Sequence, residues 1–241
     1  MIPKKIHYIW LGDKPLDLTS RICINSWRRI CPDYEIILWN EQNLDIEGLK
    51  RGNAFFRACV ERKLWAFAAD YLRLKILYDE GGIYLDTDVE VIKRLDGFLE
   101  SSFFVGWESP EFIAAGVIGA EAGSKVLERL LEFYDREIWD ANYCNIPVIF
   151  TNLIQNEPDV FREIAVYPSE YFYPYQPGAP CTKLVETDNT VCIHWYNGNW
   201  GMSRKGYVFL QTKHVKNPVL RFFLSLKKTV GYYRHRKRMP E

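Results

Sequence analysis

Residues 82–89 read Gly-Ile-Tyr-Leu-Asp-Thr-Asp-Val, and this stretch decides the fold class. Gly82-Ile-Tyr-Leu85 is a short apolar run of the kind that forms a buried strand. Asp86 and Asp88 stand one residue apart where such a strand leaves the core. In an open α/β sheet, ligands collect beyond the carboxyl ends of the strands. Two carboxylates held there are costly unless something compensates them. A hard divalent cation takes oxygen ligands and shares them readily with a phosphate. The stretch therefore points to a metal-dependent enzyme that handles a diphosphate-bearing donor.

Outward from it, Gly81-Gly82 closes a long helix predicted over residues 55–78. Upstream, the spacing predicts a strand over 5–10, a helix over 18–30 stopped by Pro32, and a strand over 34–39. Downstream it predicts strands over 103–107 and 112–119, a helix over 124–136 capped by Ser124, and a helix over 147–156. Residues 167–180, dense in Pro and Tyr, read as an irregular loop over the active face, and 191–196 as a late strand. Alternation of strand and helix gives βαβ units: an α/β protein with a Rossmann-like, mostly parallel sheet flanked by helices.

Between Leu64 and Tyr78 the charged residues are Asp70, Arg73 and Lys75. Asp70 and Arg73 are three apart and share a helix face. They read either as an internal ion pair that orients the helix, or as a ligand-facing pair. In the second case Arg73 offers its planar fork of donors to hydroxyl or phosphate oxygens. His194, in Ile-His-Trp-Tyr-Asn-Gly-Asn-Trp-Gly, is either a third metal ligand suited to manganese or an interior hydrogen-bonded histidine. Trp10, at the end of the first strand, is either a platform for a planar base or part of the core.

The chain has 241 residues, 48% of them hydrophobic and 15% aromatic, enough for a substantial core. Its apolar runs fall short of the ~20 residues a membrane span needs, and the N-terminus does not read as a secretory signal. Cysteines 23, 31, 59, 144, 181 and 192 show no C-x-x-C pair, so reduced thiols and a cytoplasmic location are expected. Net charge is zero but uneven: residues 217–241 carry +6 and residues 1–216 carry −6. Residues 218–233 are apolar with interspersed bases, followed by Arg-His-Arg-Lys-Arg. This basic amphipathic tail is expected to lie on the cytoplasmic face of the inner membrane, where anionic headgroups meet its bases. The alternative is a helix docked on its own domain. With an acidic body and no reading motif, no nucleic-acid partner is expected.

Four ordered motifs carry a resemblance. Ile2-Pro-Lys-Lys-Ile-His-Tyr-Ile-Trp-Leu-Gly12, Ala69-Asp-Tyr-Leu-Arg73, Tyr78-x-x-Gly-Gly-Ile-Tyr-Leu-Asp-Thr-Asp88 and His194-x5-Trp200 resemble the DXD-motif sugar transferases of the glycosyltransferase family 32 type. That family includes fungal initiating mannosyltransferases, bacterial capsule and O-antigen transferases and, distantly, glucosylating toxins. The resemblance implies a GT-A catalytic domain over 1–216, a nucleotide-sugar donor, Mn2+ or Mg2+, and retention of anomeric configuration. It implies that Trp10 stacks on the base, Tyr84 lies beside the ribose, and Asp70 and Arg73 hold the donor sugar. Asp86 then contacts ribose and metal, Asp88 and His194 bind the metal, and Trp200 lies near the diphosphate. The chain departs from the family in residues 142–151, where Cys144-Asn-Ile-Pro replaces a Thr-Gly-Pro-like turn on the acceptor side.

The expected reaction is metal-dependent transfer of a hexose from a nucleotide sugar, UDP favoured, to a glycan or lipid-linked oligosaccharide acceptor in surface-polysaccharide synthesis. Acceptor contacts are expected from the loops 107–112 and 142–175, which carry Glu108, Glu111, Tyr143, Tyr173 and Tyr175. The alternatives are a sugar-nucleotide-binding module without transferase activity and a phosphatase of the haloacid dehalogenase type. Against the phosphatase, Glu90 stands where that motif has Thr or Val.

Overall fold

The computed structural model describes residues 1–175, 185–198 and 202–236, the last three of these by backbone alone. β1 (Lys5–Ile9) leads into α1 (Leu18–Ile30), whose first turn is capped by Asp17 accepting from the Ser20 N–H at 2.8 Å. β2 (Glu35–Trp39) follows, then α2 (Ile46–Gly52), α3 (Ala54–Glu61) and α4 (Trp65–Glu80). β3 (Gly82–Leu85) and β4 (Val89–Val91) flank the D-x-D. Next come β5 (Phe103–Gly106), β6 (Val117–Ala120), α5 (Lys125–Glu132), α6 (Ile146–Asn156) and β7 (Ala165–Tyr167). α7 (Ser169–Phe172), β8 (Cys192–His194), α8 (Arg204–Thr212) and α9 (Pro218–Arg236) complete the order.

The main sheet runs β2-β1-β3-β6-β5-β7, with β1–β2, β1–β3 and β5–β7 parallel and the two pairings of β6 antiparallel. Period-2 alternation divides the core between the two faces of this sheet. Ile83 and Leu85 pack with α1 residues Ile24 and Trp27 on one face, while Tyr84 faces α4 and the cluster of Leu72, Leu74 and Leu77 on the other. β4 and β8 form a separate two-stranded sheet, so the expected late strand joins the D-x-D segment and not the main sheet.

Gly81 and Gly82 both have positive φ, +62° and +108°, and end α4 as expected. At Gly82 a Cβ would lie 2.8 Å from His7 Nε2. That ring is fully buried: Nδ1 accepts from Trp39 at 3.0 Å, so Nε2–H donates to the Gly81 carbonyl at 2.8 Å.

Three expectations need correction. The helix expected over 55–78 is two, broken where Lys63 turns left-handed at φ 53°; neither glycine nor proline announces the break. The strand expected over 112–119 begins only at Val117, because the Ala115 and Gly116 carbonyls are taken by Arg73 and the Asp86 N–H. The helix over 124–136 widens into a π-turn at Phe133–Glu137, and Ser124 stands at its cap position without a side-chain cap bond.

Candidate active site

Three elements converge at the carboxyl end of β3. Asp86 extends that strand, and its N–H donates to the Gly116 carbonyl at 2.8 Å. From α4, Arg73 points at it with both terminal nitrogens 3.3 Å from a carboxylate oxygen. The same guanidinium lies 3.0 Å from Asp70, donates to the Ala115 carbonyl at 2.7 Å, and sits 4.6 Å above the Tyr84 ring. The Tyr84 hydroxyl donates to Asp86 at 2.9 Å. The Asp70–Arg73 pair is therefore an internal ion pair that also borders a cavity at the rim of the sheet.

Burial pushes the Asp70 carboxyl up to about 7 although Arg73 opposes it, and Asp86 adds to the rise. Burial works against the charge on Arg73, but Asp86 and its other neighbours outweigh that and hold the guanidinium protonated.

β8 delivers the remaining group. Its register sets His194 opposite Val89, one residue past Asp88. Nε2 of His194 lies 3.1 Å from Oδ1 of Asp88, and the Asn197 N–H donates to the other oxygen at 2.8 Å. Burial would raise Asp88, but the bonds from His194 and Asn197 outweigh it and hold this carboxyl below its ordinary range. Burial would lower His194, but Asp88, Asp86 and Glu108 outweigh it and raise the imidazole.

Oxygen atoms of Asp86 and Asp88 and a ring nitrogen of His194 lie within 4.8 Å of one another. Nδ1 of His194 is buried with no partner among the described residues. Two carboxylates and an imidazole are a donor set that fits Mn2+ or Mg2+.

A cavity of about 290 Å³ lies over Ile9, Arg73, Asp86, Asp88 and His194. It shares Arg73, Asp86 and His194 with a second of about 360 Å³, bordered by Asp70, Glu108, Asn145 and Pro147. On the other side a space of about 270 Å³ lies between Trp10 and Trp65. The first two share lining residues and form a trough along the rim, and the third adjoins it in sequence, Trp10 following Ile9 and Trp65 preceding Ala66. A further cavity, about 890 Å³ beside α5 at Lys125 and Arg129, contains none of these groups.

Asp70, Arg73, Tyr84, Asp86, Asp88 and His194 are thus brought together, and Trp10 lies at one end of the trough with its indole N–H on the Lys14 carbonyl at 2.6 Å. Trp200 lies outside the described residues, as do Cys181 and the bases at 237 and 238. Sequence reading missed Asn197, although it stands inside the quoted His194 motif, because its contribution is a backbone N–H. It also missed Gly116, whose Cβ would come within 2.9 Å of the Asp86 carboxylate. Glu108 and the residues around Pro147, which fall in the loops expected to contact the acceptor, border the Asp70 end of the trough.

Residues 19–104 match the family model described as "Glycosyltransferase sugar-binding region containing DXD motif". The chain is 28% identical over 221 residues to inositol phosphoceramide mannosyltransferase 3 of Schizosaccharomyces pombe, a match covering 88% of this chain and 60% of that protein. It is 27% identical over 161 residues to the subversion of eukaryotic traffic protein A of Legionella pneumophila, covering 54% of this chain and 24% of that one. The chain thus spans between a quarter and three fifths of these relatives. Among solved structures, the PaToxG glycosyltransferase superposes with a TM-score of 0.53 at 19% identity, over 67% of this chain and 72% of that chain.

Proposed function

For a chain whose residues 19–104 match the DXD-containing sugar-binding region of glycosyltransferases and whose fold is the GT-A arrangement, we propose metal-dependent transfer of a hexose from a nucleotide sugar to a glycan acceptor. The observation that carries this reading is the convergence of Asp86, Asp88 and His194 within 4.8 Å, beside a buried arginine shared by two carboxylates.

The trough suggests an order for the donor. Trp10 stacks on the base, UDP in preference to GDP, and Tyr84 and Asp86 lie toward the ribose. Asp70 and Arg73 face the sugar, and Trp200 is assigned to the diphosphate by family resemblance. Asp86, Asp88 and His194 would hold Mn2+ or Mg2+, which neutralises charge developing on the leaving diphosphate. Arg73 fixes Asp70 and Asp86 in position before the donor arrives, so little reorganisation accompanies bond breaking. The acceptor hydroxyl oxygen bonds to the anomeric carbon on the face from which the diphosphate departs, the carbon–oxygen bond to phosphate breaks, and the proton passes to the leaving phosphate oxygen. Configuration is retained. Glu108 and the segment around Pro147 line the acceptor side, where a lipid-linked oligosaccharide of a capsule, O-antigen or related surface polysaccharide is the favoured substrate.

Incubation with a panel of UDP- and GDP-sugars tests the reading. Release of nucleoside diphosphate that requires Mn2+ or Mg2+ and stops with EDTA is expected. Binding of a nucleotide sugar without turnover, with or without lipid-linked acceptor, would leave the sugar-nucleotide-binding module in its place. Phosphate release from simple phosphomonoesters would favour the phosphatase.

A further inference from the structure

α9 has two unlike faces. On one, Lys228 donates to Gln211 of α8 at 2.7 Å, the Tyr232 ring packs 5.6 Å from Tyr207, and the Tyr232 hydroxyl donates to the Met202 carbonyl at 3.0 Å. This face docks the helix on the domain. On the other, Val219, Phe222, Phe223, Leu226, Val230 and Tyr233, the last with its hydroxyl accepting from Arg204 of α8 at 3.3 Å, are each at least half exposed. Their spacing of three and four residues aligns them in one stripe along the helix. Leu220 adds a seventh exposed apolar side chain at its edge. Isolated exposed apolar residues are ordinary, but a continuous stripe with two adjacent phenylalanines marks an interaction surface.

Charge identifies the occupant. Lys227 is exposed at the edge of the stripe, Arg221 is exposed with its Nε donating to the Val215 carbonyl at 2.6 Å, and residues 217–241 carry +6 against −6 for the rest of the chain. Apolar side chains flanked by bases suit an anionic bilayer surface, with the rings below the headgroups and the bases among them. No described helix is long and apolar enough to cross a membrane. Met202, to which Tyr232 holds the helix, also lines the cavity at Asp70 and Glu108. The stripe is therefore anchored next to the side of the trough assigned to the acceptor.

We propose that the exposed face of α9 docks on anionic lipid and presents the Asp70–Glu108 side of the trough to an acceptor held in that membrane. The clause on the acceptor rests on the transferase reading; the docking surface does not.

The test is co-sedimentation of the full chain with vesicles of phosphatidylcholine alone or mixed with phosphatidylglycerol, with nucleotide-sugar turnover measured in parallel without vesicles. Binding to the anionic vesicles is expected, falling on the order of tenfold or more in a Phe222→Ser/Phe223→Ser variant. A Lys227→Gln variant should bind the anionic vesicles less at low salt, with the difference from the parent shrinking as salt rises. Thermal unfolding of both variants should match the parent, because the side chains replaced are exposed. The proposal is overturned if the chain stays in the supernatant with anionic vesicles, or if the phenylalanine variant sediments as fully as the parent. It is equally overturned if sedimentation velocity without lipid shows a dimer that this variant dissociates, since the stripe then faces a second copy. Turnover without vesicle binding would sink only the docking surface, and vesicle binding without turnover would sink only the transferase reading.

Discussion

Arg73 and Asp86, thirteen residues apart, meet through both terminal nitrogens of the guanidinium, each 3.3 Å from a carboxylate oxygen. Asp70 takes the same cation at 3.0 Å, so two acids depend on one base inside the fold. Removing that base leaves both uncompensated. Arg73→Ala should cost about 3–5 kcal/mol of stability by urea denaturation. Adding Asp70→Asn should restore part of it by deleting one of the stranded charges. A single variant as stable as the parent would show that the acids do not rely on Arg73.

Asp70 also sets a pH dependence. Its carboxyl is raised from 3.8 to about 7 by burial, so the folded state binds this proton more tightly than the unfolded chain does. Its contribution is therefore fully present below about pH 4 and lost as pH rises toward 7. Asp70→Asn should remove that slope, gaining on the parent by a few kcal/mol between pH 4.5 and 8. Parallel urea curves at those two pH values decide it; an unchanged difference would mean that Arg73 alone neutralises Asp70.

The D-x-D, the Asp70/Arg73 pair and His194 were legible because each is a charged or polar group in an apolar run, where sequence contrast is high. The strands around them were legible for the same reason. What stayed hidden depends on backbone. The break at Lys63 uses a left-handed lysine that composition does not announce. The start of β6 is delayed by two carbonyls that serve Arg73 and Asp86. The pairing of β8 with β4 sets His194 on Asp88, and no local pattern encodes a register made across 106 residues.

Gly116 is one of these hidden positions. A Cβ there would lie 2.9 Å from Asp86 Oδ2 and 3.5 Å from the Tyr173 hydroxyl. Asp86 cannot swing aside freely, being held by Arg73 and Tyr84. Gly116→Ala should keep the fold while raising the Mn2+ concentration for half-maximal turnover roughly tenfold, since small displacements of a ligand are costly. A variant with the parent's Mn2+ dependence would show that the carboxylate accommodates a methyl group.

Trp10 offers a separation of binding from chemistry. If its ring carries the base, Trp10→Ala should raise KM for the nucleotide sugar about tenfold or more and leave kcat nearly unchanged, as stacking is worth roughly 1–3 kcal/mol per base. Trp10→Phe keeps a ring but loses the bond to the Lys14 carbonyl, so it should recover most of the affinity. Equal losses in both variants would assign Trp10 to the loop and not to the base.

His194 distinguishes a ligand from a buried histidine that is merely satisfied. Its ring is bonded to Asp88 through Nε2, while the strand that carries it is paired with β4 through main-chain atoms. His194→Ala should therefore leave the β4–β8 register in place and weaken Mn2+ binding by at least tenfold in a calorimetric titration. A structural histidine would give the opposite pattern, with lower stability and unaltered Mn2+ affinity. In the metal-free protein Asp88 favours the protonated imidazole, so binding a cation must expel that proton. Mn2+ affinity should consequently fall as the pH is lowered through the raised pKa of His194, and the alanine variant should lose that part of the slope. If parent and variant titrate alike, the proton released on binding belongs to the aspartates, and His194 is not a ligand.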